Sequence, residues 1–346
     1  MATPGTIGFA ILGSGMVANY HRLAITANAE QGARLVAVGH YNPVRFAEIS
    51  ARFGVPCVSQ QELLADPAVD VVCICTPSGQ HAAQAIAAAR AGKHVLVEKP
   101  MALSLTDADA MIAACDQAST KLGVALQRRA EPLFRRVYEA IQARDLGDLT
   151  LGVVTLPYYR PQAYYDQAEW RGTWTLDGGG VLMNQGIHLV DLLVWYMGDP
   201  ITVQAHAGTL YQSIEVEDTL AATLCFPSGA MATIAATTTA SPGFPHRLEI
   251  YGTGGGIQIE GETVRHWVLA DPATATVERP ETGPPATAGA GADPRGIAPA
   301  GHIAILRDLI HALREDRAPQ IDGTEGRRSL AAVLAVYRAA GLSSPG

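Results

Sequence analysis

Between residues 7 and 126 the chain alternates short apolar runs with longer stretches of helical spacing, and that alternation leaves few folds open to it. The runs Ile7–Leu12, Leu35–Val38, Val69–Cys75, His94–Val97 and Gly123–Leu126 are rich in β-branched residues and lack polar alternation. Strands buried on both faces read this way. Between them, Pro43–Phe53, Gln80–Ala91 and Thr106–Ala118 carry apolar residues at helical intervals, and Ser104 with Asp107 marks a helix start. Right-handed crossovers then dictate a parallel, doubly wound α/β sheet.

The first run ends in Gly13-Ser-Gly15-Met16-Val17-Ala18. Such a turn, placed after the first strand and opening a helix, lets a pyrophosphate approach the backbone, with the helix N-terminus facing its charge. A small third residue permits close helix–strand packing, and Ala18 satisfies it. A dinucleotide is therefore expected, with Gly13, Gly15, Met16 and Val17 around its phosphates. The second strand leads into Gly39-His40-Tyr41-Asn42-Pro43-Val44-Arg45, where an acid for a ribose hydroxyl normally stands. None is present. His40, Asn42 and Arg45 tolerate a 2′-phosphate, so the reading is NADP or NAD, with NADP slightly favoured.

Composition narrows the function classes. Lys+Arg 25 against Asp+Glu 33 gives −8, which speaks against a nucleic-acid partner. No apolar run reaches the ~18 residues of a membrane span, and no membrane association is expected. The apolar N-terminus has no basic segment before it and is broken by glycines, unlike a signal peptide. Five cysteines without metal-ligand spacing predict no metal site and a reducing, cytoplasmic setting.

After residue 126 the period changes. Leu149–Leu156, Ile201–Leu210, Thr219–Phe226, Ala230–Thr238 and Arg247–Tyr251 read as consecutive strands, with Phe226-Pro-Ser-Gly229 as a hairpin turn. Helices are expected near 181–197, 302–315 and 325–340. The Ala-, Pro- and Gly-rich stretch about 270–300 reads as a mobile loop. The chain thus divides into a dinucleotide domain, 1–126, and an α+β domain, 127–346.

Two constellations carry chemistry. Glu98-Lys99-Pro100 closes an apolar strand at the sheet edge where ligands bind. Lys99 is one of only three lysines in the chain, beside Lys93 and Lys121. Arginine keeps its charge, whereas a lysine pKa can move, which suits proton chemistry. The other reading of the motif is a structural Glu98–Lys99 ion pair. Downstream, Asp177-Gly178-Gly179-Gly180 opens a helix on which Asn184, His188, Asp191 and Trp195 share one face. The glycines remove side chains there and leave room for a ligand.

These residues, with Thr76-Pro77 and His81, Tyr251-Gly-Thr253 and Asp322-Gly-Thr-Glu-Gly-Arg-Arg328, resemble the Gfo/Idh/MocA oxidoreductases. The resemblance implies a Rossmann doubly wound parallel sheet plus a C-terminal α+β domain with an open, mainly antiparallel sheet. It implies NAD(P)-dependent oxidation or reduction of a sugar or polyol, and a homo-oligomer, dimer or tetramer. It makes Lys99 and His188 catalytic. Asn184 stands where the family has an acid and takes the orienting role, because an amide cannot accept the proton. Thr76, Pro77, His81, Glu98, Lys99 and Gln127 fall to the cofactor. Tyr159, Arg160, Trp170, Arg171, Asn184 and His188 fall to the substrate, since arginine forks suit carboxylate or phosphate. Asn184-Gln-Gly-Ile-His188, with the Tyr158–Pro161 and Trp170–Trp174 segments, resembles the nucleotide-sugar 3-dehydrogenase branch. Two alternatives belong to other classes: an NAD-dependent glycosidase using transient oxidation, and a non-catalytic dinucleotide sensor.

Overall fold

The computed structural model describes residues 5–269 and 299–342. In chain order it runs β1 (Ile7–Leu12), α1 (Met16–Ala27), β2 (Ala33–Gly39), α2 (Phe46–Phe53), β3 (Cys57–Val58), α3 (Gln60–Ala65), β4 (Val71–Ile74), α4 (His81–Arg90), β5 (His94–Glu98), α5 (Leu105–Gln117) and β6 (Leu122–Ala125). There follow α6 (Pro132–Gln142), β7 (Leu149–Pro157), α7 (Gln162–Tyr165), a π-turn (Val181–Gly186) and α8 (Ile187–Met197). Then come β8 (Thr202–Gly208), β9 (Thr219–Cys225), β10 (Met231–Thr237), β11 (Arg247–Gly252), β12 (Gly255–Glu260) and β13 (Thr263–Leu269). Two helices close the chain, α9 (Ala300–Arg314) and α10 (Gly323–Ala339).

The chain forms two compact units, Met1–Glu131 with Ala298–Leu330, and Pro132–Ile297 with Ala331–Gly346. This departs from the expected cut into 1–126 and 127–346. Residues 299–330 return to the first unit because α9 lies along α1. There the Asn28 amide donates to the Ile303 carbonyl at 3.1 Å, and Arg307 donates to Asn28 at 3.2 Å. Val124 N–H donates to Ile321 O at 2.9 Å, and Arg129 pairs with Glu325. The Asp322–Arg328 segment thereby ties the C-terminal return to the end of β6.

The first unit holds a six-stranded sheet in the order β3-β2-β1-β4-β5-β6, with every pairing parallel. Phe9, Ala10 and Ile11 of β1 and Val71–Ile74 of β4 are fully buried, which explains their lack of alternation. Burying each large side chain contributes roughly 1.5–3 kcal/mol. Strand order reverses between β1 and β4, and the turns leaving these strands flank the crevice where such sheets hold ligands. Ser104 caps α5 through Asp107 N–H at 3.0 Å, as expected. The two-residue β3 and the short α3 are too short to repeat a hydrophobic period and leave no pattern in the sequence.

The second unit is a seven-stranded sheet in the order β13-β12-β11-β7-β10-β9-β8. It is antiparallel except for β7 with β10. Phe226–Gly229 makes the expected hairpin turn, with Gly229 at φ 87°. β12 and β13 were not expected: β12 opens on two glycines, which mask its alternation. The mobile loop expected about 270–300 lies, save for its last two residues, outside the described residues. The helix expected at 181–197 is two structures, since its first six residues form the π-turn, a geometry that often marks functional sites.

Candidate active site

In the first unit the glycine turn has the geometry a dinucleotide requires. Gly13 sits at φ +104°, and a Cβ there would lie 2.6 Å from the Cys75 carbonyl, so only glycine fits. Gly15 is exposed, with open space where a side chain would stand. It precedes α1 with no side chain capping the helix, which suits its first N–H groups, beginning at Met16 and Val17, to an anion. Ala18 is fully buried against the sheet. Arg52 donates to the Ser14 carbonyl and buttresses the turn from α2, a contact the sequence did not announce. At the end of β6, Gln127 is buried, and its Oε1 has no hydrogen-bond partner among the described residues. A buried amide oxygen of that kind suits a bound cofactor group. These residues fit a dinucleotide.

The three residues offered for a 2′-phosphate are each engaged locally. His40 is buried, and its Nδ1 accepts Asn42 N–H at 3.1 Å. Asn42 Oδ1 accepts Val44 N–H at 3.0 Å. Arg45 forks onto Glu48 at 3.0 and 3.1 Å. The Arg45 guanidinium thus faces a carboxylate in an exposed pair one helical turn apart.

Lys99 is half-buried at the end of β5, as expected, and its bond to Pro100 is cis. Its neighbours are not where the sequence put them. The Glu98 carboxylate is buried, and Oε1 takes Nε2 of His21 at 2.8 Å and Nε2 of His302 at 3.2 Å. Burial alone would raise the Glu98 carboxyl, but these bonds outweigh it and hold it well below the usual range. Burial also lowers His21. The ligand atoms of His21, Glu98 and His302 lie within 4.8 Å of one another, a spacing a metal ion could use. Metal-bound imidazoles need a partner on the other nitrogen, and Nδ1 of both histidines has none among the described residues, so the trio is a hydrogen-bonded cluster. His81 is likewise buried. Its Nδ1 lies 2.8 Å from Pro100 O and its Nε2 2.9 Å from Thr76 O. Thr76, half-exposed like Pro77, donates through Oγ1 to Gln84 at 2.6 Å.

In the second unit Asn184 belongs to the π-turn and His188 to α8, both half-buried, while Asp191 is fully buried. Trp195 stacks on Tyr138 of α6 at 4.1 Å, a packing role. The glycines before the turn leave no room for a ligand at two of their three positions. A Cβ on Gly179 would lie 2.2 Å from the Tyr337 hydroxyl, and one on Gly180 would lie 1.7 Å from Glu217 O. The space is filled by a cap. Gly180 N–H and Leu182 N–H donate to the Glu217 carboxylate at 2.8 and 2.9 Å. Val181 N–H donates to Glu217 O at 3.1 Å, and Met183 N–H to the Tyr337 hydroxyl at 3.1 Å. Tyr337 in turn donates to Glu217 at 2.8 Å. Four consecutive donors at the turn's start are thereby satisfied. Burial pushes Glu217 up to about 7 against these bonds.

Asp177, placed by the sequence at a helix start, accepts the Asn184 amide on Oδ1 at 2.6 Å and Gly172 N–H on Oδ2 at 2.9 Å. An acid therefore does stand beside position 184, seven residues earlier in the chain. Of the substrate candidates, Arg160 is buried, donates to Tyr159 O at 2.7 Å and lies over the Tyr158 and Tyr164 rings. Tyr159 is half-exposed. Arg171 is half-buried, stacked 4.3 Å from Tyr164 and 4.8 Å from Trp170.

Known proteins bear on this geometry. Residues 7–126 match the oxidoreductase family with an NAD-binding Rossmann fold, and residues 134–258 match the GFO/IDH/MocA C-terminal domain. The WlbA dehydrogenase from Bordetella pertussis, solved with NADH and UDP-GlcNAcA, is 35% identical with a TM-score of 0.85, covering 97% of each chain. An aldose-aldose oxidoreductase from Caulobacter crescentus, solved with glycerol, is 28% identical with a TM-score of 0.80, covering 97% of this chain and 98% of its own. Inositol 2-dehydrogenase of Rhizobium meliloti is 29% identical over 264 residues, 74% of this chain and 76% of its own. With a parallel dinucleotide sheet, a mainly antiparallel second sheet and these matches along most of its length, the chain is an oxidoreductase of the GFO/IDH/MocA family, acting on CH–OH groups.

Proposed function

We propose that this protein oxidises a ring carbon, C3 by preference, of a nucleotide sugar acid, with NAD as the bound dinucleotide. The observation that carries the substrate reading is Arg171, half-buried and stacked between Tyr164 and Trp170. A guanidinium held flat by two rings offers its fork to a carboxylate or phosphate. The 35% identity to a protein solved with UDP-GlcNAcA supports it. NAD is preferred over NADP because Glu48 takes the Arg45 fork and would repel a 2′-phosphate.

The dinucleotide, when bound, supplies the hydride acceptor. The Lys99 ammonium stabilises negative charge developing on the reacting oxygen. His188 takes the hydroxyl proton as general base and returns it in the reverse direction. Asn184, its amide anchored by Asp177, orients a substrate hydroxyl. A homo-oligomer, dimer or tetramer, completes the reading. Leu151 and Met231 are register partners on β7 and β10 and are 38% and 58% exposed, an apolar pair on the open sheet face.

The test is a screen of free sugars, polyols and UDP-linked sugars and sugar acids, with NAD and NADP in parallel, following absorbance of the reduced cofactor. Turnover on the UDP-sugar acid with NAD is expected. Reduction with free polyols alone would overturn the substrate class, and aglycone release without net reduction would establish the glycosidase alternative. Lys99→Ala should lower kcat by about 2.7–4 kcal/mol of transition-state stabilisation with dinucleotide affinity retained. An unchanged kcat would remove Lys99 from the chemistry.

A further inference from the structure

We propose that His21, His81 and His302, none of them a catalytic residue, form a clamp on the backbone either side of Lys99 and keep its ammonium placed and charged. The residue before Lys99 is held by two imidazoles, since Glu98 Oε1 accepts from His21 at 2.8 Å and His302 at 3.2 Å. Glu98 Oε2 takes the backbone N–H of Lys99 itself at 3.3 Å. The residue after Lys99 is held by a third imidazole, His81, through Pro100 O at 2.8 Å. The same ring's Nε2 lies 2.9 Å from Thr76 O, so the single N–H of the neutral imidazole is shared between the Lys99 loop and the turn leaving β4.

These contacts converge from α1, α4 and α9 on one three-residue segment. All three histidines and Glu98 are at most 5% exposed. Burying three imidazoles and a carboxylate costs desolvation that aliphatic side chains would avoid, so packing alone does not account for them. A lysine carries its charge on a long flexible stem, and fixing its backbone is the way the fold limits where that charge goes. The two donors also keep Glu98 ionised, leaving an anion next to Lys99 that favours the ammonium form. The groups facing Glu98 are His21 of α1, His302 of α9 with Tyr20 stacked on it at 5.4 Å, His81 of α4, and the Cys73 and Cys75 thiols from β4 and its end. Burial, with Glu98 adding to it, pushes both thiols up, so neither competes as an anion.

The kinetic consequence rests on the catalytic reading of Lys99; the structural one does not. Reductive methylation of the full-length protein with carbon-13 labels Lys93, Lys99 and Lys121, and the Lys99 resonance is the one missing in Lys99→Arg. In Glu98→Gln and in His302→Leu the Lys99 titration should fall by about one pH unit, the size of a lost neighbouring charge. His302→Gln, whose amide still donates, should restore most of the shift. The alkaline limb of the kcat profile should move with the resonance. A Lys99 titration unmoved in Glu98→Gln and His302→Leu overturns the clamp, whatever happens to the rate. A shifted resonance in a protein whose Lys99→Ala form keeps its kcat upholds the clamp and removes only the catalytic reading. If His302→Leu does not fold, Glu98→Gln, which keeps the shape of the side chain, decides alone.

Discussion

Replacing Glu217 by Gln tests whether the cap beneath the π-turn is a charge or only a shape. The carboxyl is 1% exposed and accepts from Gly180 N–H, Leu182 N–H and the Tyr337 hydroxyl. Burial raises it to about 7, against about 4.3 for a glutamate in the unfolded chain. Between those values the native state keeps a proton that the unfolded chain has released. Stability from this group is therefore full below the unfolded value, falls as pH rises toward 7, and levels off above it. The gap corresponds to roughly 4 kcal/mol. Gln cannot titrate, but its NH2 turns a donor toward a backbone donor, which costs about 1–3 kcal/mol at any pH. Wild type should therefore exceed Glu217→Gln clearly at pH 5, and the advantage should shrink or vanish by pH 8. Urea unfolding followed by tryptophan fluorescence at several pH values measures the difference directly. Parallel stability curves from pH 5 to 8 would refute a raised Glu217.

Other perturbations separate binding from folding. Gly15→Ala should leave the melting temperature unchanged, because nothing lies within 4 Å of the new Cβ, yet dinucleotide affinity by fluorescence titration should collapse. Gly180→Ala should do the reverse, failing to accumulate as folded protein on circular dichroism, because its Cβ meets Glu217 O at 1.7 Å. Asn184→Asp places a second carboxyl where the amide now lies 2.6 Å from Asp177, so one proton should be shared. The acid limb of kcat/KM should move to higher pH, and an unmoved limb with a raised KM would leave Asn184 as a binding residue alone. Calorimetric titration should show NAD binding more tightly than NADP, and Glu48→Gln should narrow that difference by removing the charge that opposes a 2′-phosphate.

The sequence by itself determined the parallel sheet, because β1, β4, β5 and β6 are buried on both faces and burial leaves its mark on every consecutive residue. It also determined the glycine turn, since the demand on Gly13 comes from local backbone geometry. The position of Lys99 at a strand end was legible for the same reason. What Lys99 sits beside was not. Glu98 looked like a partner for the adjacent lysine, and the fold gave it His21, 77 residues away, and His302, 204 residues away. Asp177 and Glu217 were equally silent, and the glycines between them read as an opening when they are close-packed around a cap. A buried histidine on the apolar face of α1, at the spacing of Ala18 and Ala24, was the one local hint, and it names no partner. Local patterns record which surface a residue buries. Which polar group satisfies a buried carboxylate depends on chain segments that only the tertiary fold brings together.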